Sequence, residues 1–405
     1  MAVIYNQEKR IFSLQTKNTT YQMKADQLGY LLHLYYGKKV SQDMDYLVTY
    51  ADRGFSGNPA EMADNRTYSL DTLPQEYPVL GTGDNRSTAL IIRNADYGEC
   101  CDLRYVSHKI IKGKYALKGL PAVYADENQA ETLSIMLEDK LNGACVELLY
   151  GVLEDEDIIT RSVIITNNGK GKFVVEKAAS ACLDFLPGDY DFIHFHGRYA
   201  MERNMERIPV SYTETRIGSR RGASSHQHNP GVILAEHGTT EDYGKCYGML
   251  FVYSGNFQCE AGKDQFGQTR LIMGLQNEHF YYPLERGQSL VVPETILCYS
   301  ENGFADLSLK YHDCIRNHIC RGKYKNECRP VLINSWEAAY FDFDGNTIIN
   351  LAKEAASLGI GLVVMDDGWF GKRDSDNSGL GDWTVNEEKL GCTLGELVEN
   401  VNKHN

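Results

Sequence analysis

Apolar and polar positions alternate in short runs along the first three-quarters of the chain. VELLYGVL (146–153), DIITRSVIITNNGKG (157–171), FVVEKAA (173–179), GMLFVYSGNF (248–257), TRLIMGL (269–275) and SLVVPETILCYS (289–300) are all strand-length. Each is rich in β-branched or aromatic residues and bounded by Gly, Asn or charge, the pattern of half-buried strands. NNGKG predicts a hairpin turn, because Asn and Gly tolerate positive φ. So many strands predict two large packed sheets rather than one small barrel. No internal repeat or low-complexity linker interrupts them.

Near residue 305 the period changes. ADLSLKYHDCIRNHICRGKY (305–324) is amphipathic at helical spacing, with Leu307, Leu309, Tyr311, Cys314, Ile315 and Ile319 as its stripe. RPVLINSWEA (329–338) reads as an apolar strand punctuated by Trp336. NTIINLAKEAASLGIG (346–361) predicts a helix with Ile348, Leu351, Ala352, Ala355 and Leu358 on one face and Gly359 as its stop. LVVMDD (362–367) is a continuous apolar run ending on two carboxylates, the mark of a parallel strand buried on both faces. TLGELVENVNKHN then begins another helix. Strand, helix, strand, helix is a parallel βα array, whose functional groups sit just past the C-terminal strand ends. Asp366, Asp367 and Trp336 stand there.

Charge and composition narrow the partner classes. A net charge of −14 argues against nucleic acid or an anionic membrane as the main partner. The start, MAVIYNQEKRIFSLQ, shows no basic stretch followed by an apolar core, so no signal peptide is expected. No run of about 18 apolar residues suggests a membrane span. The 11 cysteines are odd in number and scattered, which points to reduced thiols in the cytoplasm. The 26 tyrosines fit half-buried positions in β-structure, or a surface that meets sugars.

The acid pair has two readings. One is a strand-end carboxylate that caps a turn or pairs with Lys372 or Arg373. The other is sugar recognition: a carboxylate accepts from neighbouring hydroxyls while Trp336 or Trp369 offers a flat apolar face. Adjacent strand residues point to opposite faces, which suits a retaining glycosidase's catalytic pair poorly. DSDNSG (374–379) resembles a calcium loop, but position twelve is Val385 where a bidentate Glu is needed. His194/His196 and His226/His228 each share a strand face but lack a third ligand at a telling spacing, so no metal or cofactor is expected. SRRGASSHQHNP (219–230) reads as a hydrogen-bonding loop without an assignable reaction.

SLDTLPQEYP (69–78), SRRGASSHQHNP, FVYSGNF (251–257), RPVLINSWEAAYFDF, LVVMDDGWFGKRD and GLGDW together resemble the α-galactosidases of glycoside hydrolase family 36. The resemblance runs in order along the whole chain. It implies a multidomain protein, β then α/β: an N-terminal β-supersandwich with a linker helix (1–328), then the first two βα units of a (β/α)8 TIM barrel (329–405). It implies substrate contacts from Asp366, Asp367 and Trp336. Further contacts would come from Asp52 in ADRGFSGNP and from Tyr199 in HGRYAMER, where the family usually carries Trp. KLGCTL (389–394) also departs from the family's Leu-Pro-Gly-like turn. The family's nucleophile motif, Lys-Trp-Asp-Met-Asn-Arg, does not occur. A full barrel takes about 250 residues, so both catalytic carboxylates are expected beyond Asn405, in a missing barrel half.

The implied function is retaining hydrolysis of terminal α-galactosides of the melibiose and raffinose type, in a cytoplasmic homo-oligomer, a tetramer in the family. The alternatives are an α-N-acetylgalactosaminidase of the same family and a non-catalytic carbohydrate-binding or scaffold subunit.

Overall fold

The computed structural model describes residues 2–52 and 57–404. They fall into two compact units, Met1–Cys320 and Arg321–Asn405. Among the described residues no helix is long and apolar enough to cross a membrane.

The first unit is built from antiparallel sheets. A four-stranded meander (Val3–Asn6, Ile11–Gln15, Thr19–Ala25, Leu31–Lys38) precedes two larger sheets. The nine-stranded sheet runs, edge to edge, Met201–Pro209, Tyr190–Arg198, His228–Glu236, Cys246–Val252, Ser289–Ser300, Ile158–Asn167, Ala144–Leu153, Glu131–Glu138 and Arg104–Lys112. The six-stranded sheet centres on the long strand Phe173–Phe185, which pairs with Thr269–Leu275, Tyr282–Leu284 and Leu90–Arg93. One core holds side chains of all three sheets, Phe12 and Tyr21 with Val163, Phe192 and Leu297, and with Phe173, Ala181 and Leu271. This is the expected β-sandwich, although its first four strands went unread in the sequence.

Two local expectations fail in this unit for identifiable reasons. NNGKG is no hairpin, because the strands it joins, Ile158–Asn167 and Phe173–Phe185, lie in different sheets. Neither Gly169 nor Gly171 has positive φ. Buried Asn167 shapes the corner instead, donating to the Gly171 (2.9 Å) and Leu284 (2.7 Å) carbonyls and accepting from the Gly169 amide (2.9 Å). The helix of the first unit spans Gly303–His318 and buries Leu307, Tyr311, Cys314 and His318, whereas Leu309 is 59% exposed. Leu309 is two residues from Leu307, about 200° around the helix, and so faces away. Tyr311 lies on the sheet above Gly248, where an added Cβ would meet its ring at 2.5 Å, and its hydroxyl donates to the Ile296 carbonyl at 3.2 Å.

The second unit carries a two-stranded parallel sheet, Leu332–Asn334 with Leu362–Val364, in the register Leu332↔Leu362 to Asn334↔Val364. Both strands are shorter than expected. They are not buried on both faces either, since Leu332 and Leu362 are 48% and 42% exposed. Helices Gly345–Ser357 and Leu394–Asn402 each start on a capping box, Asp344 with Thr347 and Thr393 with Glu396. Ile348 and Leu397 meet Phe343 and Leu390 in a small core. Gly359 takes the left-handed conformation of a helix stop, but Leu358 before it is exposed rather than on the packed face.

The three sheets of the first unit meet at a buried ion pair. Glu76 accepts from the Tyr21 hydroxyl (2.5 Å) and the Tyr150 hydroxyl (2.8 Å), contacts His33 Nδ1 (3.1 Å), and pairs with Arg161 at 2.8 Å. Arg161 also donates to the Cys182 carbonyl at 3.0 Å. Burial alone would raise the Glu76 carboxyl's pKa; Arg161 and the His33 and Tyr21 hydrogen bonds outweigh it and leave it lowered. A lowered carboxyl contributes stability above its ordinary value of 4.5 and loses it as pH falls through the folded-state value. Removing one partner of a buried pair costs about 3–5 kcal/mol. We therefore expect Arg161→Met to lower the urea-unfolding free energy by about that amount and to flatten the acid side of its pH dependence. A loss below about 1 kcal/mol, the scale of an exposed ion pair, would show that the pair is dispensable.

Candidate functional site

Past the ends of the two parallel strands the chain turns polar, and Asn334 organises the turn. The Ser335 amide continues the ladder onto the Val364 carbonyl at 3.0 Å, and the Ser335 hydroxyl accepts from the Asp366 amide at 3.1 Å. Asn334 Nδ2 donates to Asp366 Oδ2 at 2.6 Å, while its Oδ1 accepts from the Trp336 amide at 2.8 Å. One amide side chain thus ties Asp366 to Trp336 across the two strand ends. Trp336 is the first residue of a short helix, Trp336–Ala339, and not part of the strand as expected. Asn334 accepting from the Trp336 amide bends the chain into that helical turn. The half-buried indole is held edge-on by Tyr340 (5.2 Å) and Phe341 (5.0 Å).

The two acids have different partners. Asp366 accepts one bond at each oxygen, from Asn334 and from the Asp367 amide at 2.7 Å. Asp367 is gripped by Arg373, whose Nε and Nη2 each donate to a carboxylate oxygen at 2.6 Å, and it also accepts from the Gly368 amide at 2.8 Å. The hydrogen bonds from Arg373 lower the Asp367 pKa despite its partial burial, and Asp367 in turn raises that of Arg373. The pairing of the acid motif with Arg373 is therefore present at Asp367.

Arg373 also explains the loop that resembled a calcium site. Its remaining nitrogen donates to the Ser378 (2.7 Å) and Ser375 (3.1 Å) carbonyls, and Asp376 approaches at 3.5 Å. The loop's oxygens converge on a guanidinium. Among the described residues no three His, Cys, Asp or Glu side chains are placed to hold a metal ion. Trp369 packs toward the core around Phe343 and Leu390, which leaves Trp336 as the better placed indole.

The other expected contacts lie in the first unit. Asp52 is exposed and pairs with Arg66 at 3.2 Å; residues 53–56 of the same motif lie outside the described residues. Tyr199 is 83% exposed in the turn joining Tyr190–Arg198 to Met201–Pro209, where Ala200 takes positive φ. In SRRGASSHQHNP, Arg220 pairs with Glu278 and the Gly222 amide donates to Asn256 Oδ1 at 2.7 Å. Sequence reasoning missed Asn334, Ser335 and, as the organiser of a loop, Arg373. The signal for the first two was a polar Asn-Ser pair closing an apolar run.

Residues 29–285 match the glycosyl hydrolase family 36 N-terminal domain, and residues 289–405 match melibiase. Over 403 residues the chain is 63% identical to the bifunctional alpha-galactosidase/sucrose kinase AgaSK of Mediterraneibacter gnavus, covering 100% of this chain and 43% of that protein. It is 44% identical over 406 residues to alpha-galactosidase AgaA of Geobacillus stearothermophilus, covering 100% and 55%. The solved galactosidase domain of AgaSK superposes with a TM-score of 0.98 at 63% identity, over 100% of this chain and 56% of that one. A doubly substituted variant of AgaA in complex with raffinose gives 0.95 at 43% identity, over 97% and 55%. The family models and the solved neighbours put this sandwich, with the parallel strands after it, among the glycoside hydrolases. The chain belongs to glycosyl hydrolase family 36, and it spans about half the length of the relatives it matches.

Lys cannot reproduce the two-pronged grip of Arg on a carboxylate. Arg373→Lys should therefore keep the charge yet free the loop, seen as faster hydrogen exchange over 371–379 with the helix 345–357 unchanged. Unaltered exchange in the loop would show that the guanidinium does not organise it.

Proposed function

We propose that this chain supplies the galactose-recognising part of a retaining α-galactosidase acting on terminal α-galactosides of the melibiose and raffinose type. The observation that carries the reading is the Asp366 carboxylate, fixed by Asn334 beside the half-buried Trp336 at the parallel strand ends. Each Asp366 oxygen accepts a single hydrogen bond within the protein, which leaves lone pairs for a sugar's neighbouring hydroxyls. Trp336 supplies the apolar face, and Asp367, kept ionised by Arg373, adds a second acceptor.

Recognition is not turnover. Charge-assisted hydrogen bonds contribute about 1.5–3 kcal/mol each, against a barrier reduction of about 8–23 kcal/mol for enzymes generally. A retaining glycosidase also needs two carboxyl groups about 5–5.5 Å apart on either side of the scissile bond. In this reading Asp366 and Asp367 hold the sugar, and the nucleophile and the proton donor come from elsewhere in the barrel.

The same reading makes Tyr199 and Asp52 contacts offered to another copy in a homo-oligomer. Tyr199 stands on an exposed turn, with Met201 and Met205 exposed beside it on an edge strand, which supports a protein partner there. The 11 unpaired cysteines support a reducing, cytoplasmic setting. Neither metal nor cofactor enters.

The test is complementation. The 405 residues alone should release no nitrophenol from a nitrophenyl α-galactoside. Co-expression with the remaining galactosidase-domain segment of the Mediterraneibacter gnavus relative should restore release. In the restored enzyme Asp366→Ala and Asp367→Ala should each lower kcat/KM by up to about 10⁴–10⁵, the discrimination a hydroxyl-reading site achieves. Near-full activity of either variant would remove that acid from sugar recognition. Turnover by the 405 residues alone would overturn the division of labour.

A further inference from the structure

Strand Tyr190–Arg198 sends Phe192, His194 and His196 to one side, in order of decreasing burial toward the Tyr199 turn. His196 lies directly opposite His228 on the neighbouring strand, and His194 lies opposite Glu206 on the edge strand. The His194 ring is 5.9 Å from that of His196 and 6.0 Å from that of His228, centre to centre. Three imidazoles from two strands thus crowd one patch, with Glu206 of the edge strand beside them.

The patch is poorly provided for positive charge. Glu206, half-exposed on the edge strand, is the carboxylate it meets, 3.2 Å from His194 Nε2. Arg221, from the loop before His228, adds positive charge. Glu202, Arg203 and His226 line the adjoining hollow. His194 is 5% exposed, and its Nδ1 is buried without a hydrogen-bond partner, as is His228 Nδ1. A proton added at either nitrogen becomes a donor with nothing to receive it. Burial first, then the neighbouring imidazoles, holds His194 and His228 below the ordinary imidazole value of 6.5; Glu206 opposes this only in part.

The hairpin is anchored unevenly. At its base Arg207 donates to Asp191 at 2.6 Å and to the Thr239 and His237 carbonyls at 2.7 and 2.6 Å. Residues 201–206 form an exposed edge strand, and the histidine patch lies at this end. We propose that His194 and His228 form a proton-sensitive latch that keeps the hairpin tip on the sheet near neutral pH and releases it on acidification. The sign follows from the lowered values: the open state binds more protons, so closure is complete above about pH 6.5 and weakens as pH falls below it.

Hydrogen exchange followed by mass spectrometry tests this on the 405-residue chain. Between about pH 7.5 and about pH 5.5, corrected for intrinsic exchange, protection of residues 199–206 should fall by up to about tenfold, the ceiling that one imidazole of ordinary value sets at the lower pH. The central strand 158–167 should not change. His194→Gln combined with His228→Gln should make hairpin protection independent of pH. Glu206→Gln, which removes the opposing carboxylate, should match the parent at the higher pH and lose more protection at the lower one. No selective loss in the parent, an undiminished loss in the double variant, or a smaller loss in Glu206→Gln would each overturn the latch.

Discussion

The fold of the first unit depends on how a single carboxylate, Glu76, is compensated far from water. Two partners come from the four-stranded meander (Tyr21, His33) and two from the nine-stranded sheet (Tyr150, Arg161). Arg161 then reaches the six-stranded sheet through the Cys182 carbonyl and lies 4.8 Å over the Tyr150 ring. Desolvating an ion costs several kcal/mol, which only close and complete partnering offsets. Hydrophobic contact between sheets tolerates sliding. A buried charge does not, because a shift of an ångström would strand it. The relative placement of three sheets is thereby fixed at one point, and with it the direction of the outer strands.

The same principle shapes the polar end of the second unit on a smaller scale. Arg373 is enclosed by its own loop, and its donors are distributed between Asp367 and the Ser375 and Ser378 carbonyls. A long polar loop is thus ordered around one buried guanidinium. Asn334 does comparable work between the strands, where a hydrophobic residue would remove the partner of Asp366 Oδ2 and of the Trp336 amide. Both arrangements hold carboxylates in fixed positions through hydrogen bonds within the unit.

The histidine patch is the contrast. Other buried ionisable groups of this unit sit in close pairs of opposite charge, Asp184 with Arg270 at 2.7 Å and Lys114 with Glu294 at 2.5 Å. Along Tyr190–Arg198 the matching runs out where the strand leaves the core. A residue type that is neutral at physiological pH can occupy such a place where Lys, Arg or Asp could not.

Much of the architecture was legible in the chain. Alternation of apolar residues marks the strands around 146–153, 269–275 and 289–300, because a strand half-covered by another sheet must bury every second side chain. The helix over 346–361 and its glycine stop follow from local rules, as does the placement of acids after an apolar run. Partnership across the chain was not legible. Nothing local distinguishes NNGKG as a corner between sheets from a hairpin, because that depends on Asn167 reaching Leu284, 117 residues away. Nor does sequence show that Leu358 faces solvent while Ile348 packs, or that Arg373 turns back on Asp367. Sequence determined which segments extend, which coil and where charge collects, since those follow from periodicity and backbone preference. Tertiary structure alone decided which charges meet, because pairing is a matter of distances between segments that the order of residues does not contain.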